Sequence, residues 1–307
     1  MSVSRIVVTG ATGFVGAAVM DVLLHHPDFR AQPTPVLCAV GRGPGPGRPV
    51  PSAVEWVTAD LADPASLHGI CEGADALLHL ASSLSPRLEE CTAVNVVGTG
   101  ALMAEAGRAG VKRIVHLSTA AVYGAGPHRG LGVNEFEPTP ASPASRTRLT
   151  GETYSLQAGA TVLRPGLVVG PGDRWVVPAL VELLERVPAL WDSGRALLSM
   201  VHVTDLALLI ARVGHPSAGP HGGGLFHASH PQPVRVTDLL ARLAQRGVLP
   251  KVTTPLAWEA CLEQFRKTTG RMSERQFHLL AQDHWYRSDD IWRIAGCPPG
   301  PGPVARL

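Results

Sequence analysis

The sequence predicts an α/β fold, a doubly wound parallel sheet with a smaller carboxyl-terminal lobe, and three observations carry that reading. A β-branched run at residues 5–8 feeds a glycine-spaced turn at 9–16, which opens directly into a helix pattern over 17–24. Strand-like apolar segments then alternate with helix-like ones as far as residue 118, the spacing of a parallel sheet covered on both faces. Of the 307 residues, 45% are apolar and 17% charged, which suits one large core with room for a second lobe.

The turn organises the rest. Gly10, Gly13 and Gly16 allow a tight backbone turn, close approach of N–H groups to a pyrophosphate, and close packing of helix on strand, while the helix N-terminus adds partial positive charge. Thr12, Phe14 and Val15 complete its candidate contacts. This spacing at a strand-to-helix junction points to a dinucleotide on a Rossmann-like sheet.

The second strand is expected at 36–40, with Arg42 and Gly43 at its carboxyl end, where the adenosine ribose lies in such a sheet. An acidic residue there would hold the ribose 2′-hydroxyl and repel a 2′-phosphate; Arg42 does the reverse and favours NADP(H) over NAD(H). The glycine–proline stretch 43–49 has a composition that denies it regular structure. A third strand is expected at 54–57, a helix at 64–71, a fourth strand at 76–81, a long helix at 88–109 and a fifth strand at 113–118.

A net charge of +2 gives no reason to expect nucleic acid or a bulk membrane surface as partner. The five cysteines (38, 71, 91, 261 and 297) are odd in number, far apart and without metal-type spacing, so free thiols in a reducing cytoplasm and no metal are expected. With a strand expected almost from Met1, no signal peptide is expected. No apolar run approaches the roughly 20 residues a membrane span needs.

In order along the chain, residues 9–16, 60–61, 79–81, 95–99, 118–124, 163–165 with 170–172, and 201–207 resemble the extended short-chain dehydrogenase/reductases, including the NAD-dependent epimerase/dehydratase group. The resemblance implies that Asp60 and Leu61 border the adenine, and that Leu80, Ala81 and Ser82 line the cofactor cleft with Leu117 and Ser118 beside them. A turn or helix cap is the plainer alternative for Asp60.

The family's hydroxyl that orients a substrate carbonyl falls on Thr119, four residues before Tyr123; a strand-end threonine bonded to backbone is the alternative. The family then expects a tyrosine and, four residues later, a lysine, one helical turn apart so that both face the nicotinamide. The tyrosine donates a proton; the lysine lowers its pKa and binds the nicotinamide ribose. Here Ala144 stands at the tyrosine and Arg148 at the lysine, and none of the tyrosines at 123, 154 and 286 is followed by a lysine four residues on. Arg148 retains donors for ribose hydroxyls but stays charged and relays a proton poorly; a surface helix arginine is its plainer reading. After Arg164-Pro165, where nucleotide-sugar enzymes usually present an asparagine, Gly166, Leu167 and Val168 are apolar, and Pro165, Leu167 and Val168 are expected to form an apolar nicotinamide wall. Ala120 and Ala121 stand where dehydratases usually carry Asp-Glu.

In the family the remaining third caps the cofactor domain and forms the substrate pocket. Helices are expected near 175–187, 236–245, 256–265 and 273–281, a strand-to-helix pattern at 201–213 and a short strand at 225–228. Trp258, Phe265, Met272, Phe277, Trp285, Tyr286 and Trp292 concentrate here. Such stripes read first as core, with a helical lid over a large aromatic substrate as the functional alternative. The histidines at 116, 202, 227, 278 and 284 lack metal-site spacing; His202 is a candidate for substrate contact. Residues 1–165 are then mainly an NADP-binding domain, 166–297 mainly substrate lobe and lid with segments returning to the sheet, and 298–307 an irregular tail.

The expectation is an NADP(H)-dependent ketoreductase of bacterial specialised metabolism that reduces a large aromatic, polyketide-like ketone. The chain resembles the atypical ketoreductases that lack the usual tyrosine, the simocyclinone-type angucyclinone enzymes among them. The alternative from another class is a catalytically silent NADP(H)-binding regulator or scaffold. In related proteins the long helices near 88–109 and 143–157 often form a dimer seam; no decisive apolar seam stands out, so monomer and homodimer both stay open.

Overall fold

The computed structural model describes residues 4–29, 35–43, 45, 53–219 and 222–307. The stretch 43–49 lies outside them apart from Gly43 and Gly45. The chain begins with β1 (Arg5–Thr9), α1 (Phe14–His25), β2 (Val36–Gly41), β3 (Val54–Thr58), β4 (Ala76–His79), α2 (Leu88–Thr92), α3 (Thr99–Arg108) and β5 (Arg113–Leu117). It continues with β6 (His128–Leu131), α4 (Pro143–Gln157), β7 (Thr161–Arg164), β8 (Leu167–Val169), α5 (Val176–Arg186), β9 (Leu190–Trp191), β10 (Leu197–Leu198), β11 (Met200–His202) and α6 (Val203–Gly214). Then come β12 (Gly224–His227), β13 (Val234–Arg235), α7 (Val236–Gln245), β14 (Pro255–Leu256), α8 (Trp258–Arg266), α9 (Glu274–Ala281), β15 (His284–Tyr286), α10 (Asp289–Ala295) and α11 (Pro303–Arg306).

Seven strands form one sheet in the order β12-β7-β5-β4-β1-β2-β3, with every neighbouring pair parallel. Successive strand residues point to opposite faces, and both faces are covered: Ile6 and Val8 join the core that α1 and α6 build, whereas Val7 joins the one built by α3. The strand order reverses between β1 and β4, which opens a crevice at their carboxyl ends. Register places Thr9 opposite His79 there.

A second core gathers Leu180, Leu183, Leu239, Leu243, Phe265 and Phe277 from α5 and α7 to α9 around the fully buried Trp191. Beside it runs a small sheet, β13-β10-β15-β6. The aromatic and Met stripe follows its core reading: Phe265, Met272, Phe277, Tyr286 and Trp292 are all buried, and the Trp292 indole N–H donates to the Ser229 carbonyl at 2.7 Å.

Three local expectations need correction. The helix expected at 64–71 is one 3-10 turn, Pro64–Leu67, capped by Asp63, because Gly69 at φ +81° ends it. The helix expected at 88–109 contains a π-helical turn, Ala93–Gly98, between α2 and α3. The tail is irregular only before α11: Pro303 presets the first turn, Val304 and Leu307 pack on the second core, and Arg306 makes two bonds, at 2.9 and 2.8 Å, to the buried Asp205 of α6. The short segment thus bridges both cores. Arg306→Ala is expected to lower the unfolding free energy by about 1–3 kcal/mol by leaving that carboxylate without its cation, read by denaturant unfolding; an unchanged midpoint would show that the clasp contributes nothing.

Candidate active site

The glycine turn rests directly on the end of β4. Gly10 has φ +71°, and a Cβ there would lie 2.7 Å from the Ala81 nitrogen. A Cβ on Gly16 would overlap the Gly10 carbonyl oxygen, so helix and turn meet only because both residues are glycine. Gly13 is the N-cap residue of α1, no side chain caps the helix, and no acidic residue sits in the first turn. The N–H groups of Phe14, Val15 and Gly16 therefore keep a positive helix end without a side-chain acceptor, beside the exposed Thr12. That donor set fits a pyrophosphate. The Phe14 ring lies against Gly172, 3.3 Å from where a Cβ would stand, and brings the loop at 170–172 onto the turn.

The end of β4 is held by hydrogen bonds that local patterns do not announce. Thr9 Oγ1 accepts from the Leu80 and Ala81 N–H groups at 3.2 and 3.3 Å, so its own proton goes to His79 Nδ1 at 2.8 Å. His79 Nε2–H then donates to Thr99 Oγ1 at 3.0 Å. Burial, helped by the nearby Arg148 charge, pushes the His79 pKa down to about 3 and keeps the ring neutral. Asn95, in the π-helical turn, accepts from the Ser83 N–H (2.7 Å) and donates to the Ser83 carbonyl (2.9 Å) and Thr147 Oγ1 (3.0 Å). Leu80 and Ala81, half-buried, and Ser82, exposed, are thereby set between the turn and α4.

On the adenosine side Arg42 is exposed just past β2, and the Gly43 carbonyl is held from below. Asp60 Oδ1 accepts from the Ala62 N–H at 2.9 Å, which is the turn role. Leu61 is buried beneath Gly98, where a Cβ would overlap its carbonyl oxygen.

At the reaction end the Ala121 N–H donates to Thr119 Oγ1 at 3.1 Å, and the Thr119 proton has no acceptor among the described residues. Arg148, on α4, is half-buried rather than fully exposed. Its Nη2 donates to the Leu117 carbonyl at 2.9 Å, its Nε is buried without a partner, and no carboxylate pairs with it among the described residues. Burial pulls its pKa down to about 10, so the charge persists at neutral pH. Ala144 lies one helical turn earlier on the same helix. Opposite, Pro165 is buried and its carbonyl accepts from Ala120 N–H; Gly166 N–H donates to Ser229 Oγ; Leu167 and Val168 of β8 stay half-buried.

Two candidates lie apart from this group. Ser118 turns inward: its hydroxyl donates to the Glu152 carboxylate and its N–H to the Leu163 carbonyl. His202 is a buried N-cap, accepting from the Thr204 N–H at 3.3 Å. Behind the site runs a buried chain missed in the sequence. Glu152 accepts from Ser118 and from Arg164, Arg164 Nη1 donates to the Tyr123 oxygen (2.8 Å), and Tyr123 donates to His227 Nε2 (2.8 Å). His227 Nδ1–H in turn meets the Arg287 carbonyl at 3.1 Å.

Fold and crevice together define a dinucleotide-binding α/β protein. The model of the NAD dependent epimerase/dehydratase family matches residues 6–225, and the chain belongs to that family of nicotinamide-dependent enzymes. It is 28% identical, over 95% of its length and 91% of the relative's, to the 4-hydroxy-2-methyl-3-oxo-4-farnesyl-3,4-dihydroquinoline-1-oxide ketoreductase of Stigmatella aurantiaca. It is 34% identical to sterol demethylase protein B of Methylococcus capsulatus, over 54% of this chain and only 52% of that protein. Among solved structures, a short-chain dehydrogenase/reductase superfamily protein of Agrobacterium tumefaciens with bound NAD superposes with a TM-score of 0.72, covering 98% of this chain and 94% of the other at 21% identity, a likeness of fold. The five cysteines are free and buried, and among the described residues no helix is long and apolar enough to cross a membrane.

Proposed function

We propose that the protein is an NADPH-dependent ketoreductase that reduces a carbonyl on a large, conjugated, polyketide-like aromatic substrate without an acid of its own. The observation that carries this is the reaction end itself: a Thr119 hydroxyl whose proton has no acceptor among the described residues, an Arg148 guanidinium whose one hydrogen-bond partner among them is the Leu117 carbonyl, and Ala144 in the acid's place. Arg42 supports NADP(H), and the Stigmatella relative, named as a ketoreductase of a fused-ring 3-oxo compound, supports the substrate class.

The glycine turn would hold the pyrophosphate, Arg42 the 2′-phosphate, and Arg148 the nicotinamide ribose hydroxyls. When bound, the cofactor supplies hydride. Thr119 donates a hydrogen bond to the substrate carbonyl, Arg148 favours negative charge beside it, and Pro165, Leu167 and Val168 keep water from one side. None of these groups delivers a proton readily, so the substrate's own acidic hydroxyl supplies it and the product anion is delocalised over the ring system. Ala120 and Ala121 leave no polar groups for the dehydratase alternative.

Thr119→Ala is expected to lower kcat by less than about tenfold, the loss of one orienting bond rather than of an acid. A loss of about 10³-fold or more in steady-state assays would instead show an enzyme-centred donor. NADPH binding without turnover on any member of a quinone and α-dicarbonyl panel would favour the silent regulator.

A further inference from the structure

The cofactor preference proposed above has a second layer, which rests on that reading. β3 pairs with β2 so that Trp56 lies opposite Ala39 and Thr58 opposite Gly41. From there the Trp56 indole reaches under the segment that follows β2. A Cβ on Gly41 would stand 2.7 Å from the ring's Cη2, too close for any side chain, while one on Gly45 would meet the ring in ordinary contact at 3.5 Å from Cγ, and there it is the φ of +109° that favours glycine. Two hydrogen bonds converge on one oxygen: Trp56 Nε1–H and Thr58 O–H both donate to the Gly43 carbonyl, at 2.7 and 3.2 Å. Among the described residues nothing lies within 4 Å of a would-be Cβ on Gly43, and Arg42 next to it is exposed.

We infer that Trp56 and Thr58 latch the Gly43 peptide and so aim Arg42 at the 2′-phosphate of NADP(H), which makes them specificity-positioning residues at the adenosine end of the cofactor. A guanidinium gains most from a phosphate when both of its outer nitrogens meet oxygens at once, and that geometry depends on where the backbone points the side chain. Left unlatched, a glycine-flanked arginine samples many orientations and loses that freedom on binding. With both lone pairs of the Gly43 oxygen engaged, the ordering is done before the ligand arrives. No carboxylate occurs at residues 41–43, so the ligand group selected is an anion on the ribose rather than its free hydroxyls.

The test uses nicotinamide-free probes on the full chain. Calorimetry would compare 2′,5′-ADP, which carries the 2′-phosphate, with 5′-ADP, for the wild type, Arg42→Ala, Trp56→Phe, Thr58→Val and the double variant of the last two. Trp56→Phe keeps an aromatic floor and Thr58→Val keeps the side-chain shape, so both are expected to fold, with circular dichroism as the check. The expected result is a loss of about tenfold in 2′,5′-ADP affinity for the double variant, with 5′-ADP changed less than about twofold. An equal loss for both probes would make Trp56 mere support for the strand end and overturn the proposal. If Arg42→Ala abolishes the preference while the double variant keeps it in full, the latch falls alone. If Arg42→Ala leaves the preference intact, or the wild type shows none, the NADP(H) reading falls and takes the latch with it.

Discussion

Glu152→Ala is expected to lower the unfolding free energy by about 3–5 kcal/mol, a large share of what holds a domain of this size folded. Glu152 and Arg164 are only 2% and 3% exposed, and Arg164 Nε meets Glu152 Oε1 at 2.9 Å with a second bond from Nη2. Removing the carboxylate strands the guanidinium in the interior, where no water repays its lost hydration, and deprives the Ser118 hydroxyl of its acceptor. The pair itself contributes far less than its rupture costs, since two buried charges were taken out of water to make it. Replacing both residues by methionine is therefore expected to recover most of the loss. Urea titration of the single and double variants decides the matter; a single-variant loss below about 1 kcal/mol would mean that Arg164 finds another partner and that the buried chain is looser than drawn.

Arg148→Met is expected to move stability and activity in opposite directions. The wild-type guanidinium is half-buried, with one backbone carbonyl as its hydrogen-bond partner among the described residues and a buried, unmet Nε, so a residue of similar length and no charge relieves a desolvation cost at the loss of one hydrogen bond. A gain of about 1 kcal/mol, or at worst no loss, is expected in the same titration. If Arg148 holds the ribose hydroxyls and favours charge at the carbonyl, kcat/KM falls by about 10²–10³-fold, and Arg148→Lys, which keeps a cation on the turn of α4, restores part of it. A variant that loses stability together with activity would show Arg148 to be a packing residue. One that keeps full activity would remove it from the site.

Much of this was legible in the chain because it is local. Gly10 and Gly16 announce a close approach that only a residue without Cβ permits, and the alternation of β-branched runs with helical patterns announces a parallel sheet. The places of Thr119, Ala144 and Arg148 come from the family resemblance, which carries over residue by residue along single elements. The misreadings were also local: a proline-rich tail reads as irregular when its own residues are weighed, whereas α11 exists because Arg306 and Leu307 find partners distant in sequence.

By itself, then, the sequence determined the doubly wound sheet and the glycine turn on which a dinucleotide would lie, and it puts alanine at 144, where the family resemblance leads one to expect a tyrosine. Only the tertiary structure decided that Arg148 is half-buried with its Nε unmet among the described residues, that Ser118 belongs to the interior, and that Trp56 holds the peptide beside Arg42. Propensity and periodicity act within a turn or a strand, so they can be read along the line. Which polar groups meet across 31, 34 or 70 residues depends on strand order and register, which are set when the sheet assembles.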